Sequence, residues 1–360
     1  MRLVIKIGTY AIFNEKGLDL SRIKQITSEI AELMKMGHEV ILVSSGAAGY
    51  GMHKIPELGP PFRKKIWASV GQPMIFNSYM REAEEHGFSV GQMLLLRDDF
   101  TNRESFSNMT GVIESMLAFK ILPILNENDV LKTEDLTVGD NDILSAMVAI
   151  ALSADKLIII TNKDGLFSDN PDKNKDAELI KVVSDIDFEI EKFCSKEKSN
   201  LGTGGMLSKV RAAKHAVSSG VEVLLGNGTK KGIILSTLEK DFYGTRFVPS
   251  EKISMNEAKR WMMATKGVGL LAIDDGAIEA LRGGKSLLLP GLISAKGEFS
   301  AGEIVEVVSK FGQAVAYGRV NYPANEIKKA IITQKKSLEK GVRILEKEII
   351  HRDYMVILKK

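Results

Sequence analysis

The sequence predicts an α/β protein, with a mostly parallel sheet sandwiched by helices and a small C-terminal β-barrel-like module. Three observations carry the prediction. Continuous apolar runs of strand length, Leu3–Ile7, Glu39–Val43, Gly91–Leu95, Ile121–Leu125, Leu157–Ile160 and Val221–Leu225, alternate with segments of helical period. Apolar strands separated by helices imply a parallel sheet covered on both faces. The residues that follow these runs are polar and glycine-rich, which suits a sheet that binds ligands beyond the carboxyl ends of its strands. From about Trp261 the pattern changes to short β-like pieces punctuated by glycine, as in a small all-β module.

Taken in order, the first strand Leu3–Ile7 carries one charge, Lys6, and leads into Gly8-Thr9. Ser21 then caps a helix that places Ile23, Ile26, Ile30 and Leu33 on one face, and Gly37 closes it. The strand Glu39–Val43 stops at Ser44-Ser45-Gly46. Later strands lead into Asn126-Glu127-Asn128-Asp129, Thr161-Asn162-Lys163-Asp164-Gly165 and Gly226-Asn227-Gly228-Thr229. In the second module the expected β pieces are Gly269–Ile273, Ser286–Pro290, Gly302–Val308 and Ala314–Gly318, with a boundary between 245 and 266.

Composition narrows the function classes. Of 360 residues, 44% are hydrophobic and 26% charged, a globular profile with length for two domains, which excludes disordered and collagen-like chains. Forty-nine Lys and Arg against 46 Asp and Glu leave +3, too little to imply nucleic acid. Ile327 to Lys360 holds ten Lys and Arg and four Asp and Glu, a segment that reads either as a solvated basic tail or as a polyanion contact. The single cysteine, Cys194, can form no internal disulfide, so a reducing compartment and a plain structural or surface thiol are expected. The start Met1–Lys6 lacks the pattern of a signal peptide. The apolar stretch Ile143–Ala154 falls short of the ~20 residues of a membrane span. The expectation is a cytoplasmic protein with no membrane partner.

Several motifs can be discounted. Gly284-Lys285-Ser286 ends like a phosphate-wrapping loop, but Glu279 stands where its first glycine belongs. Gly267-Val268-Gly269-Leu270-Leu271-Ala272 leads into an apolar strand, where a dinucleotide fingerprint would open a helix. His38, His53, His86, His215 and His351 are scattered without metal-ligand spacing. No Gly-x-Ser-x-Gly elbow presents a nucleophilic serine.

The positive signals concern anions. Gly202-Thr203-Gly204-Gly205-Met206-Leu207-Ser208-Lys209 runs into a helix-like segment. Glycines let main-chain amides approach phosphate, a helix start adds positive dipole and Lys209 adds a full charge. The same segment is open to reading as an ordinary connection. Lys6 in an apolar strand is costly unless a compensating charge lies beside it, or unless the strand is an edge and the lysine faces water. Asp140-Asn141-Asp142, just before an apolar helix, can cap that helix, orient ammonium groups or do both.

These residues resemble the amino-acid kinase family. The resemblance runs through Val4–Thr9, Ser44–Ala47, Val70-Gly71-Gln72, Gly91–Leu95, Asn126–Asp129, Val138–Asp142 and Gly202–Lys209. The later part is similar to PUA domains through Lys259–Trp261, Ile273–Ala277, Ser286–Leu292, Phe299–Glu303 and Ile350–Asp353. The resemblance implies an amino-acid kinase fold, with the kinase domain at 1–250, a PUA domain at 266–345 and a basic tail at 346–360. It implies ATP-dependent phosphorylation of the L-glutamate side-chain carboxylate to L-glutamyl 5-phosphate, the first step of proline synthesis, with Mg2+ on the nucleotide.

By position in those motifs, Lys6 and Lys209 contact the transferring phosphate and Asp142 holds the lysines. Ser45, Asp129 and Asn141 bind glutamate. Lys6, Gly8, Thr161, Asn162, Thr203, Gly204, Gly205, Met206, Leu207, Ser208 and Lys209 bind ATP, and no protein ligand to a metal is implied. Two positions depart from the usual pattern: Tyr10 stands where a small hydroxyl residue is common, and Asn162 where aspartate is common. Homo-oligomerisation and feedback inhibition by proline are further implications. The alternatives are an acyl-phosphate-forming kinase of the same family with another acceptor, or an RNA-binding PUA protein.

Overall fold

Lys6 lies on the central strand of a large sheet, so its burial follows from topology. The structure, a computed structural model, describes residues 1–14, 17–133, 140–171, 174–184, 186, 190, 194, 205–249, 256–265, 267–336, 345 and 347–358. The chain forms two compact units, Met1–Ile253 and Ser254–Lys360.

The strands of the first unit are β1 (Arg2–Ile7), β2 (Phe13–Asn14), β3 (Gly17–Leu18), β4 (Glu39–Val43), β5 (Val90–Leu95), β6 (Leu122–Glu127), β7 (Lys156–Thr161), β8 (Val182–Val183), β9 (Glu222–Asn227) and β10 (Thr245–Phe247). Eight of them form one sheet in the order β5-β6-β4-β1-β7-β9-β10-β8, while β2 and β3 make a separate hairpin. All pairings in the large sheet are parallel except that of β10 with β9. Because β1 is flanked by β4 and β7, with Lys6 opposite Val43 and Ile159, the edge-strand reading of Lys6 is excluded.

The helices are α1 (Thr9–Ile12), α2 (Leu20–Lys35), α3 (Ala47–Lys54), α4 (Arg63–Glu85), α5 (Asp98–Thr101), α6 (Arg103–Ala118), α7 (Asn141–Ala151), α8 (Met206–Val217) and α9 (Ile233–Ser236). In α2, Ile23, Ile26, Ile30 and Leu33 are buried as their spacing predicts, and each fully buried side chain of this size contributes on the order of 1.5–3 kcal/mol. The cap of α2 is Asp19, not Ser21: its carboxylate accepts from the amides of Ser21 and Arg22. Both residue types cap well, and the chain enters the helix two residues earlier than the serine suggests. α2 packs with β1, β4 and β6 in one core.

Helix α7 is buried along nearly its whole length, from Asp142 to Ala151, which explains its continuous apolar run. A helix that is hydrophobic all round belongs in an interior, and α7 packs on β1, β4, β6 and β7 and against α8. Among the described residues no helix is long and apolar enough to cross a membrane.

The second unit is a five-stranded sheet of β11 (Gly269–Ile273), β12 (Leu292–Lys296), β13 (Ile304–Ser309), β14 (Ala314–Val320) and β15 (Ile350–Ile357), ordered β12-β11-β13-β14-β15. Helices α10 (Glu257–Ala264), α11 (Asp275–Arg282) and α12 (Ala324–Lys336) accompany it. Two expectations are corrected here. Ser286–Pro290 is not a strand: Leu287 makes one isolated bridge to Ile350, and Leu289–Gly291 is a 3-10 turn. The segment expected as a basic tail contains β15, which pairs antiparallel with β14. Its Ile350, Met355 and Val356 are buried, whereas Arg352 and Asp353 face outward. Charged residues are what an edge strand carries to block further pairing, and they gave the strand the look of a tail.

Candidate active site

Three charged side chains from distant parts of the chain meet at the carboxyl end of β1. Lys6 Nζ lies 2.6 Å from Asp142 Oδ1, and Lys209 Nζ lies 3.0 Å from Asp142 Oδ2. All three residues are buried, Asp142 almost completely. A buried charge is tolerated only when paired and hydrogen-bonded, and here one carboxylate serves two ammonium groups.

The first turns of two helices set this geometry. Asp140 caps α7, its Oδ1 accepting from the amides of Asp142 at 2.9 Å and Ile143 at 3.0 Å. Its Oδ2 accepts a hydrogen bond from the Ser208 hydroxyl in the first turn of α8. One carboxylate therefore caps one helix and ties it to the start of the next, which brings Asp142 and Lys209 together. Gly8 keeps the third side open: a Cβ there would come within 3.0 Å of Ile160 O and 3.8 Å of Lys6 Nζ.

The electrostatics follow from burial and proximity. Burial pulls the Lys6 ammonium below the ordinary lysine pKa; Asp142 opposes this and Lys209 adds to it. Burial alone would raise the Asp142 carboxyl, but Lys6 and Lys209 outweigh it and hold Asp142 below its ordinary value.

A polar network lies at the carboxyl ends of β4 and β6. Asn141 Nδ2 donates to Ser45 Oγ at 3.0 Å and to Asn126 Oδ1 at 2.8 Å. Asn126 Nδ2 donates to Gln72 Oε1 at 2.6 Å, and the Glu127 amide donates to Asn126 Oδ1 at 3.0 Å. Gln72 reaches the network because α3 and α4 approach closely: a Cβ on Gly71 would lie 1.9 Å from Ala47 O, and one on Gly51 1.9 Å from Trp67 O. Asp129 sits one turn beyond β6, in contact with Lys132 at 2.5 Å. It joins Ser45 and Asn141 through Glu127, with no direct hydrogen bond to either among the described residues.

A third group lies at the ends of β7 and β9. Thr161 is buried and Asn162 exposed, and the Gly228 amide donates to Thr161 O at 2.8 Å. Asp164 accepts from Asn227 Nδ2 at 2.8 Å and pairs with Lys230 at 3.1 Å, whose ammonium lies 3.5 Å over the Tyr243 ring. Burial works against the Asp164 charge, yet Asn227 and Lys230 hold its pKa below the ordinary value.

Of the residues marked in the sequence, Lys6, Gly8, Asp142, Ser208 and Lys209 are thus brought together. Ser45 and Asn141 are joined at 3.0 Å, and Gly205, Met206 and Leu207 form the start of α8. Thr203 and Gly204 lie outside the described residues. Sequence reasoning gave no role to Gln72, Asn126, Glu127, Lys132, Asp164, Asn227, Lys230 or Tyr243. The signal available for several was position: all but Gln72 and Tyr243 follow or end a strand of the parallel sheet. Among the described residues, no group of three or more His, Cys, Asp and Glu is placed to hold a metal ion.

Comparison with known proteins gives the family. The amino acid kinase family model matches residues 1–227, and the PUA domain model matches residues 269–342. A curated glutamate 5-kinase of Caldanaerobacter subterraneus is 36% identical over 368 residues, covering 100% of this chain and 98% of its own length. Those of Vibrio campbellii and a Marinomonas species are 37% and 39% identical, each over 99% of this chain and 96% and 97% of their own lengths. A solved isopentenyl phosphate kinase of T. acidophilum covers 69% of this chain at 18% identity and a TM-score of 0.47, a likeness too loose to bear on function. A family model over residues 1–227, a second over 269–342 and full-length similarity at this level mean that the protein belongs to the amino acid kinase family, with a PUA domain after the kinase domain.

Proposed function

We propose that this chain transfers the γ-phosphoryl group of ATP to the side-chain carboxylate of L-glutamate, forming L-glutamyl 5-phosphate and ADP, the first step of proline synthesis. The observation that carries the proposal is the pairing of Lys6 and Lys209 on Asp142 beside the Ser45–Asn141–Asn126 network. The full-length similarity to curated glutamate 5-kinases supports the choice of acceptor.

The chemistry suits these residues. A glutamate side chain with a pKa of about 4.3 is ionised at neutral pH, so its oxygen attacks phosphorus without a general base. The bond from the γ-phosphorus to the bridging oxygen breaks as the new bond to the carboxylate forms, and ADP leaves with the electron pair. The difficulty is electrostatic, because two anions must be held in line while charge moves between them. Lys6 and Lys209 supply fixed positive charge at the transferring group, which costs no reorganisation during the reaction. Asp142 holds both ammonium groups in place.

Ser45, Asn141 and Asp129 orient the acceptor, and the start of α8 with Gly8, Thr161 and Asn162 holds the nucleotide. Magnesium arrives with ATP as part of the substrate and is held by phosphate oxygens and water. Homo-oligomerisation and inhibition by proline carry over as expectations, to be measured by light scattering and by adding proline to the assay.

The test is Mg-ATP turnover with hydroxylamine, which traps an acyl phosphate as the hydroxamate. Hydroxamate formed from glutamate, but not from aspartate or N-acetylglutamate, supports both reaction and acceptor. Hydroxamate from another acceptor alone would reassign the substrate. The rival reading, an RNA-binding protein, predicts no hydroxamate and an RNA affinity that falls steeply with salt.

A further inference from the structure

Lys132 lies outside every motif used above, yet it pairs with two carboxylates at the carboxyl end of β6. Its Nζ is 3.0 Å from Glu127 Oε2 and 2.5 Å from Asp129 Oδ1. Burial works against this ammonium, but Asp129 and Glu127 outweigh it and raise its pKa above the ordinary lysine value. Lys132 is therefore a charged primary ammonium resting on a pair of carboxylates, the same chemical group as the α-ammonium of an amino acid.

We propose that Lys132 occupies the α-ammonium position on Asp129 in the free enzyme and yields it to glutamate, which makes it a determinant of acceptor affinity. The inference rests on the reading of Asp129 as an acceptor-binding residue.

Three features favour exchange over a fixed structural pair. Glu127 is 4% exposed, whereas Asp129 is 24% and Lys132 34% exposed. Lys132 can thus leave Asp129 and stay paired with the buried Glu127. After the swap every charge still has a partner, Glu127 with Lys132 and Asp129 with the substrate, so no carboxylate is left bare. The backbone need not move, because a single turn places the two side chains together: the Asp129 amide donates to Glu127 O at 2.9 Å and the Lys132 amide to Asn128 O at 3.0 Å.

A site filled by its own side chain binds substrate more weakly by the fraction of time it is open. Partly exposed ion pairs are of modest strength, which sets the expected effect at about three- to tenfold. The test compares Lys132→Met and Lys132→Gln with the unmodified enzyme in the hydroxamate assay. The expected result is a glutamate KM lower by that factor, with kcat and the KM for ATP unchanged. Glutamate should also raise the melting temperature of these variants more than that of the unmodified enzyme. Lys132→Arg, which keeps a cation on the pair, should restore the higher KM.

An unchanged KM in both variants would overturn the proposal, and so would failure of both to fold, since the pair would then be structural. A raised KM would also overturn it, by assigning Lys132 to the substrate's carboxylate. If the unmodified enzyme forms no hydroxamate from glutamate, the reading beneath the proposal fails first, and the two failures are thereby told apart.

Discussion

Lys6 Nζ and Asp142 Oδ1 lie 2.6 Å apart, and this contact joins the central strand of the sheet to the first turn of a helix buried along its length. The carboxylate's other oxygen meets Lys209 from a second helix at 3.0 Å. Three elements that are separate in sequence thereby share one charged centre. The ends of those elements are where a parallel sheet offers its ligand site, and the chemistry proposed for the protein is placed there.

Asp142→Asn keeps the shape of the side chain and removes its charge. Two buried ammonium groups then lose their common partner, a change that costs about 3–5 kcal/mol when a buried ion pair is broken on one side. Denaturant unfolding should show a loss of that order, and hydroxamate formation should fall about 100-fold or more. Wild-type turnover in the variant would show that the lysines are positioned by other groups.

The pH dependence has the same sign at the two ends of the range: in each window stability rises with pH. Asp142 is held below its ordinary pKa, so its stabilising contribution is present above about pH 3.9 and is lost as pH falls through the folded value. Lys6 is also lowered. Between its folded pKa and the unfolded value of about 10.4, the unfolded chain binds more protons and stability rises with pH. Holding Lys6 charged is thus a cost to the fold, which a bound polyphosphate relieves. Mg-ATP binding should take up protons on the alkaline side, visible by calorimetry as a buffer-dependent enthalpy, and as pH is raised kcat/KM for ATP should begin to fall before the ordinary lysine value of about 10.4 is reached. Binding without proton uptake across that interval would contradict the account.

Asp129→Ala should act on the acceptor. Loss of a charge-assisted hydrogen bond to an ammonium group raises the glutamate KM by about tenfold or more, with kcat changed only a few-fold. Steady-state kinetics separate the two effects. A fall in kcat at constant KM would move Asp129 to the reacting centre.

The parts of this design that could be read in the sequence were those that break a local rule. Lys6 stands out because a charge inside an apolar strand is expensive, and the glycines before α8 because they precede a helix and a lysine. The alternation of strands and helices revealed the sheet and its ligand end. Asn126 and Glu127 were harder, since they look like loop residues but extend β6 by two, paired with Leu94 and Leu95. Gln72 lies inside a helix, and only the close crossing at Gly51 and Gly71 carries it to Asn126. Lys132 and Lys230 gave no signal beyond their place after a strand, because a lysine in a polar stretch is the ordinary case and their partners come from folding. The strand β15 was hidden by the charges that protect an edge.

The central claim is that Lys6, Asp142 and Lys209 serve the transferring phosphoryl group and not the acceptor. The most direct measurement is glutamate-dependent hydroxamate formation by Lys209→Ala at saturating Mg-ATP, with kcat and the glutamate KM obtained together. The account predicts that kcat falls about 100- to 1,000-fold, the range for loss of one preorganised stabilising group, while the glutamate KM stays within about threefold. An equal loss in both, or a rise in KM alone, would place Lys209 with the acceptor and contradict it.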